Sequence, residues 1–165
     1  MFRAYFVVPA VLIALSCLVC SCFAQQEPTA STSCYLDDGR QVYVRYNPTT
    51  TKNEKLSNGK PFMPGGTAMT LFTEAPLSFY GSTIPLGAYS VYPIPEKGKW
   101  TLAINKNVTP GAAYDEKQDI AHATIETDQL PDQEALEVAF AHVGSKCTLR
   151  IVFGKSAAFA EFIVK

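Results

Sequence analysis

The sequence predicts an all-β protein, an antiparallel β-sandwich of the immunoglobulin-like or jelly-roll-like kind with about eight or nine strands. Two observations carry this prediction. From Cys34 onward, apolar residues recur at every second position in short runs, which is the spacing of half-buried strands. Turn-forming pairs such as Asn58-Gly59 separate the runs, which begin about ten residues apart, as they do in sandwiches.

The predicted strands follow these runs in chain order. Within a run, β-branched and aromatic side chains share one face, and polar or small ones share the other. The runs fall at residues 42–46, 67–73, 77–80, 89–93, 100–105, 121–125, 136–140, 149–153 and 160–164. The seventh run also contains helix-favouring side chains, but its alternation of Leu136, Val138 and Phe140 favours a strand.

The first 24 residues have the order of an export signal. Arg3 supplies a positive start, no charged side chain follows until Glu27, and small residues precede the polar run that begins at Gln25. The apolar stretch is about long enough to cross a membrane, but Pro9 and its serine- and cysteine-rich end favour a cleaved signal over a retained anchor. We therefore expect an exported, periplasmic or extracellular protein.

Two processing sites compete in this segment. Cleavage after Ala24 suits an ordinary signal peptidase, whereas residues 18–22 resemble a bacterial lipobox in which Cys22 would be lipidated. The predicted organisation is a signal peptide at 1–24, a disordered leader or tether at 25–33, and a single domain at 34–165. The domain is either soluble or held to a membrane as a lipoprotein.

Charge narrows the range of partners. Without residues 1–24 the chain keeps 13 basic and 15 acidic side chains, a net charge of −2, and no basic cluster. Nucleic acid is excluded as a partner because phosphate backbones need a concentrated positive face. Membrane contact would come only through a lipid at Cys22, so a glycan or an envelope protein is the expected partner.

Two of the five cysteines, Cys34 and Cys147, lie in the predicted domain. In an oxidising compartment an isolated pair usually forms a disulfide, here closing a loop of about 113 residues. The alternative is a pair of buried free thiols. A two-cysteine metal site lacks nearby ligands, so we expect no metal.

Catalytic residues are not evident. His122 falls on the polar face of its run and is expected to face solvent, and His142 lies at the end of a strand. The acidic groups Asp37-Asp38 and 115–119 lack the ordered spacing of a calcium loop and are interpreted as solvated turns. We expect a non-catalytic module without a cofactor; a hydrolase with an unrecognised site is the remote alternative.

Aromatic residues crowd one stretch of the chain. Tyr80, Tyr92 and Trp100 could bind a carbohydrate or small ligand if their rings lie exposed on a sheet face, because planar rings stack on sugars. The alternative is that Trp100 and Tyr89 belong to the core and Tyr92 is a capped edge residue. The core interpretation is favoured over the exposed one.

The segment from Ile84 to Lys106 carries a distinctive pattern, in which Gly87, Tyr89, Pro95, Trp100 and Asn105 stand at fixed positions. These positions form a core of the type GtYSl-x-x-iP…W…NK. It resembles that of an uncharacterised exported bacterial family, a domain of unknown function. The resemblance implies a β-sandwich and brings no established activity.

One departure from the resembled family concerns residues 62–68. Family members usually carry a Trp-Arg-x-Gly-Ala-Asn-Glu segment there, whereas this chain has Phe-Met-Pro-Gly-Gly-Thr-Ala. Gly65 is retained, but Met63, Thr67 and Ala68 replace the arginine, asparagine and glutamate. If those polar groups form a site in relatives, this chain lacks it, which argues further against an enzyme.

Overall fold

The computed structural model describes residues 29–165, which form nine β-strands and almost no helix. The strands are β1 (Ala30–Tyr35), β2 (Gln41–Tyr46), β3 (Met69–Thr73), β4 (Leu77–Phe79), β5 (Ser82–Ile84), β6 (Gly87–Glu96), β7 (Lys99–Asn105), β8 (Asp119–Val143) and β9 (Lys146–Val164). Two short 3-10 turns lie at Pro64–Gly66 and Glu116–Gln118. The prediction of an all-β antiparallel protein is confirmed.

The nine strands of this region belong to one antiparallel sheet in the order β1-β2-β3-β6-β7-β8-β9-β4-β5. Most neighbours in the sheet are consecutive in the chain, as is usual for strands joined by tight turns. The β4–β5 hairpin is the exception, because it falls between β3 and β6 in the sequence but pairs with β9, where Leu77 lies opposite Val164. The hairpin therefore ties the middle of the chain to its last strand.

β8 and β9 are long strands, and each pairs with different neighbours along its length. β8 pairs with β7 through residues 119–125 and with β9 through residues 126–143. Its register with β9 shifts on either side of Gln133, which lies opposite Gly154 at φ 61°. A glycine in the left-handed region of a strand is typical of a β-bulge, which bends the strand. The last four predicted runs therefore belong to two bent strands rather than four short ones.

The first strand lies against the second half of β8, so the sheet folds back on itself. The part formed by β1, β2, β3, β6, β7 and the first half of β8 faces the part formed by the rest of β8, β9, β4 and β5 across one core. The Phe140 amide donates a hydrogen bond to Thr32 Oγ1 at 3.1 Å. Cys34 of β1 and Cys147 of β9 are joined by a disulfide, with Cα atoms 6.0 Å apart, and both residues are buried. The predicted cysteine pairing is thus present in the structure.

The core between the two halves is formed by large apolar side chains from both. Phe79 and Phe162 stack with ring centroids 5.1 Å apart, and Phe62 packs on Phe153 at 5.0 Å. Burying a side chain of this size contributes about 2–3 kcal/mol. Further fully buried residues are Met69, Leu71, Leu77, Ile84, Leu102, Ile104, Leu149 and Ile151.

Residues 30–33 form part of β1, which corrects the prediction of a disordered leader there. Thr32 lies on the same face as buried Cys34, whereas Ser31 and Ser33 point to the outward face. Small polar side chains give no apolar periodicity, so this strand is invisible in the pattern. Pairing with β2 and the contact with β8 stabilise it instead.

The predicted signal peptide at residues 1–24 and the alternative lipidation at Cys22 lie outside the described residues, as do residues 25–28 of the predicted leader. The two helical segments of the described region are three-residue turns. Within residues 29–165, no helix has the length and apolar character needed to span a membrane.

Candidate functional site

The three aromatic residues predicted to bind a ligand do not form a common surface. Trp100 is 4% exposed and packs in the core. Tyr92 is 2% exposed although it belongs to the outward face of β6, because the ring of Tyr114 lies over it with centroids 4.7 Å apart. Only Tyr80, at 51%, is exposed. The predicted platform is therefore corrected: Tyr92 and Trp100 are packing residues.

Tyr80 stands at the tip of the β4–β5 hairpin. It has φ 44° and the following Gly81 has φ 89°, the pair of positive angles that a type I′ turn requires. A side chain in the left-handed region costs roughly 1 kcal/mol, and the edge-on contact between the Tyr80 and Phe79 rings, at 4.8 Å, offsets part of it. Desolvation raises the pKa of Tyr80. Tyr80 therefore supports the hairpin and shares no site with Tyr92.

The two histidines are exposed and line different cavities. His122 projects from β8 into a groove described below, as its predicted exposure requires. A ring nitrogen of His142 donates a hydrogen bond to the Gly144 carbonyl at 2.6 Å in the β8–β9 turn. His142 and Glu116 line different cavities of the described region.

The first acidic pair forms a turn between β1 and β2. Asp38 accepts hydrogen bonds from the Arg40 backbone amide at 3.0 Å and from its Nε at 2.7 Å. These bonds lower the pKa of Asp38 because they favour the charged carboxylate. Within residues 29–165, no group of three or more His, Cys, Asp and Glu side chains is arranged to hold a metal ion.

A groove of about 400 Å³ lies on the outward face of β6, β7 and β8, and we refer to it as the β6–β8 groove. Side chains that lie opposite one another in antiparallel strands project from the same face about 5 Å apart. Two such rows cross the three strands here, one formed by Tyr92, Ala103 and His122, the other by Ile94, Thr101 and Thr124. Ile94, Thr101 and His122 of these rows line the groove, so its floor is partly polar and partly apolar.

Gly59 and Pro61 form one wall of the groove. The amides of Gly59 and Phe62 donate hydrogen bonds to the carbonyls of Pro95 and Pro93 in β6, each at 2.7 Å. Proline has no backbone N–H, so Pro93 and Pro95 can only accept hydrogen bonds from a neighbouring segment. The wall thus begins in a turn, in which the Lys60 amide donates to the Ser57 carbonyl at 3.1 Å, and main-chain bonds hold it beside β6.

The loop between β7 and β8 forms the second wall, and Asn105 holds it in place. Asn105 is 2% exposed and lies at a register shift at the end of β7. Its amide nitrogen donates to Asp119 Oδ1 at 2.7 Å and to the Asp115 carbonyl at 2.9 Å, while its oxygen accepts from the Asn107 amide at 2.9 Å. One buried side chain therefore joins both ends of this loop.

Tyr114 completes the second wall. Its hydroxyl donates to Asp119 Oδ2 at 2.6 Å, while its ring covers Tyr92. Burial raises the pKa of Tyr114 well above its ordinary value, and the hydrogen bond to the Asp119 carboxylate raises it further. The hydroxyl therefore stays protonated at physiological pH, and both oxygens of Asp119 are engaged.

The groove mainly presents hydrogen-bond acceptors beside apolar surface. The carboxylates of Glu96 and Glu116, the hydroxyl of Thr101 and the imidazole of His122 line it together with Ile94. Carboxylates accept hydrogen bonds and cannot donate them. The arrangement can therefore hold a donor-rich ligand whose carbon atoms pack against the apolar part of the groove.

A family model described as a protein of unknown function (DUF2911) matches residues 27–161. The chain belongs to the DUF2911 family. The matched part of this DUF2911 domain contains β1 to β8, most of β9 and every residue of the β6–β8 groove. Neither the curated proteins nor the solved structures contain a match to the chain.

Sequence patterns assign no common role to Asn105 and the acidic residues at 115–119 of the DUF2911 domain. Asn105 is a matching position of the resemblance, and the acidic residues are expected to form a solvated turn. Asp115, Lys117 and Glu116 do form such an exposed turn, yet Asp119 bonds to Asn105. An asparagine that ends an apolar run, followed by a polar loop, is a signal for such loop capping.

Proposed function

We propose that this DUF2911 domain is an exported, non-catalytic module that binds a small polyhydroxylated ligand in the β6–β8 groove. One observation carries the proposal. The Asn105 hydrogen bonds and the Tyr114–Asp119 hydrogen bond fix the second wall before any ligand arrives. A preformed groove with a few fixed polar groups beside apolar surface is the usual form of a small-molecule site.

The chemistry of the lining favours a saccharide or another polyol. Glu96 and Glu116 provide acceptors for hydroxyl groups, and Thr101 can both donate and accept. Ile94 and the ring of Tyr114 provide apolar surface against which the C–H face of a sugar ring can pack. No arginine or lysine lines the groove within the described region, and Lys99, which lies beside it, is already paired with Glu96 at 3.1 Å. An anionic ligand is therefore disfavoured.

Two features support the exported part of the proposal. The order of residues 1–24 is that of an export signal. The buried bridge between Cys34 and Cys147 is the kind of disulfide that persists in oxidising compartments. The envelope or the cell exterior is accordingly the proposed location.

The ligand is tested by calorimetric titration of the mature protein with a panel of neutral sugars and polyols. We expect at least one member to bind, and Glu116→Gln to weaken that binding about tenfold, because a charged acceptor becomes a weaker neutral one. Glu126→Gln is the matched control, since Glu126 lines the separate hollow beside Tyr80. The proposal fails if no member binds, or if both variants weaken binding equally.

The exported location is tested by the intact mass of the protein recovered from a native-type host. We expect a chain that begins at Gln25, because Ala24 and Cys22 offer small side chains to signal peptidase. A diacylglycerol adduct on a chain that begins at Cys22 would support the lipoprotein form of the proposal. A full-length chain retained inside the cell would contradict export.

A further inference from the structure

A second surface lies on the outward face of β2 and β3, distinct from the β6–β8 groove. Tyr43 of β2 lies opposite Phe72 of β3, and their rings stack with centroids 4.6 Å apart and planes 12° apart. We call this surface the Tyr43–Phe72 face. A groove of about 630 Å³ lies beside it, and Leu86, which is 66% exposed, forms part of its lining. The face therefore offers aromatic and aliphatic surface to solvent.

Arg45 adds an uncompensated positive charge to this face. Its guanidinium carbon lies 5.3 Å from the centroid of the Phe72 ring, a cation–π distance. Among residues 29–165, Arg45 makes no ion pair, whereas Arg40, which lines the groove, pairs with Asp38 at 2.7 Å. A guanidinium stacked on a ring keeps its N–H edge free for a bidentate bond to a carboxylate.

Glu74 is an acidic group that lines this groove. The Glu74 carboxylate accepts a hydrogen bond from the Gln41 amide at 2.8 Å, and the Glu74 amide donates to the Gln41 carbonyl at 3.1 Å. The Glu74 carboxylate is exposed and has no ion-pair partner among residues 29–165, so this end of the groove carries a negative charge. Arg45 lies opposite Thr70, four residues along the chain from Glu74, so the Arg45 side of the face is the part complementary to an anion with an apolar side.

Hydroxyl side chains continue the face beside Arg45. In one cross-strand row that runs over β1, β2, β3 and β6, Arg45 lies between Ser31 and Thr70, and Ser90 follows. Ser31 is exposed and Thr70 is half-buried, whereas Ser90 is buried, so the accessible hydroxyl groups beside Arg45 are those of Ser31 and Thr70. A flat face of rings, a guanidinium and hydroxyls matches a sugar chain, whose rings have apolar faces and hydroxyl edges.

A peptide ligand fits this surface less well. Peptides commonly bind by adding a strand to a free sheet edge, which supplies main-chain hydrogen bonds. β2 and β3 are internal strands with neighbours on both sides, so their backbone groups are already paired. Only side chains remain for recognition, which favours ring stacking and ionic contact over strand addition.

We infer that the Tyr43–Phe72 face binds an acidic saccharide, a chain of pyranose rings that carry carboxylate groups. A pyranose ring packs its C–H side along Tyr43, Phe72 and Leu86, while its carboxylate receives two hydrogen bonds from Arg45. This site is separate from the β6–β8 groove, which has acceptors rather than a free guanidinium. The two sites therefore take different ligands.

The test is titration of the mature protein with tetragalacturonate and with its carboxyl-reduced, neutral counterpart. We expect tetragalacturonate to bind at least about tenfold more tightly than the reduced form, with an affinity that falls as salt is added. Arg45→Gln is expected to remove this preference. Arg45→Lys, which keeps the charge without the bidentate fork, should give an intermediate affinity.

Arg150→Gln is the matched control, because Arg150 pairs with Glu137 on another part of the sheet. It should bind tetragalacturonate as the unsubstituted protein does, and thermal unfolding checks that each variant is folded. The inference is overturned if the acidic and reduced sugars bind equally or not at all, or if Arg45→Gln retains the preference. Arg45-dependent binding of an acidic peptide in place of the sugar would also overturn it. If Arg45→Gln loses tetragalacturonate binding but still binds the neutral sugar, this site is separate from the β6–β8 groove.

Discussion

Replacing Cys34 and Cys147 together by alanine is expected to lower the free energy of unfolding by about 4 kcal/mol. The bridge closes a loop of 113 residues, and a cross-link of that span removes much of the conformational freedom of the unfolded chain. Both sulfur atoms also lie in the core, since Cys34 is 2% exposed and Cys147 is fully buried. Urea unfolding monitored through Trp100 fluorescence measures the change.

Reduction of the unsubstituted protein provides the control for this prediction. A reducing agent should lower its stability toward that of the double variant, and it should leave the double variant unchanged. A loss below about 1 kcal/mol in the double variant would show that the bridge is not a main contributor to stability, because typical losses are 2–5 kcal/mol.

Replacing Asn105 by alanine is expected to cost about 3 kcal/mol and to release the loop that walls the β6–β8 groove. The substitution removes three hydrogen bonds at a buried position, and it leaves Asp119 Oδ1, the Asp115 carbonyl and the Asn107 amide without their partner. The Asn105→Asp variant should be no more stable than Asn105→Ala, because its carboxylate would face the Asp119 carboxylate. Urea unfolding measures the loss of stability, and limited proteolysis within residues 106–118 measures the release of the loop.

Asn107→Ala is the matched control for this effect. The Asn107 side chain accepts a hydrogen bond from the Thr109 amide at an exposed position of the same loop. Its loss should cost less than about 1 kcal/mol, since solvent replaces the bond. Equal losses for Asn105→Ala and Asn107→Ala, or a loop that remains resistant to protease in the Asn105 variant, would contradict the role assigned to Asn105.

The strands were predictable where one face of a run is apolar. Val42, Val44, Leu102 and Ile104 alternate with polar or small residues, and they lie on core faces as the alternation requires. The apolar pattern does not predict β1, because most of its alternating residues are serine, threonine and alanine. β8 and β9 were each divided into two, because bulges and Pro131 break the pattern without ending the strand.

The surfaces of the protein were less predictable, since each depends on contacts between distant segments. Tyr92 alternates as an outward residue and is nevertheless buried, because Tyr114 folds over it. Tyr43 and Phe72 form a stacked pair only in the register that sets β2 against β3. Such register and loop placement are global properties of the fold, which local periodicity does not contain.

The central claim, a preformed β6–β8 groove that binds a polyhydroxylated ligand, is tested most directly by mapping a bound sugar on the protein by nuclear magnetic resonance. Backbone amide shifts are recorded while the best-binding neutral sugar of the calorimetric panel is titrated into the mature protein. The claim predicts shift changes concentrated at Thr101, Tyr114, Glu116 and His122, with Gly59 also affected. Shift changes confined to other surfaces, or none at saturating sugar, would contradict it.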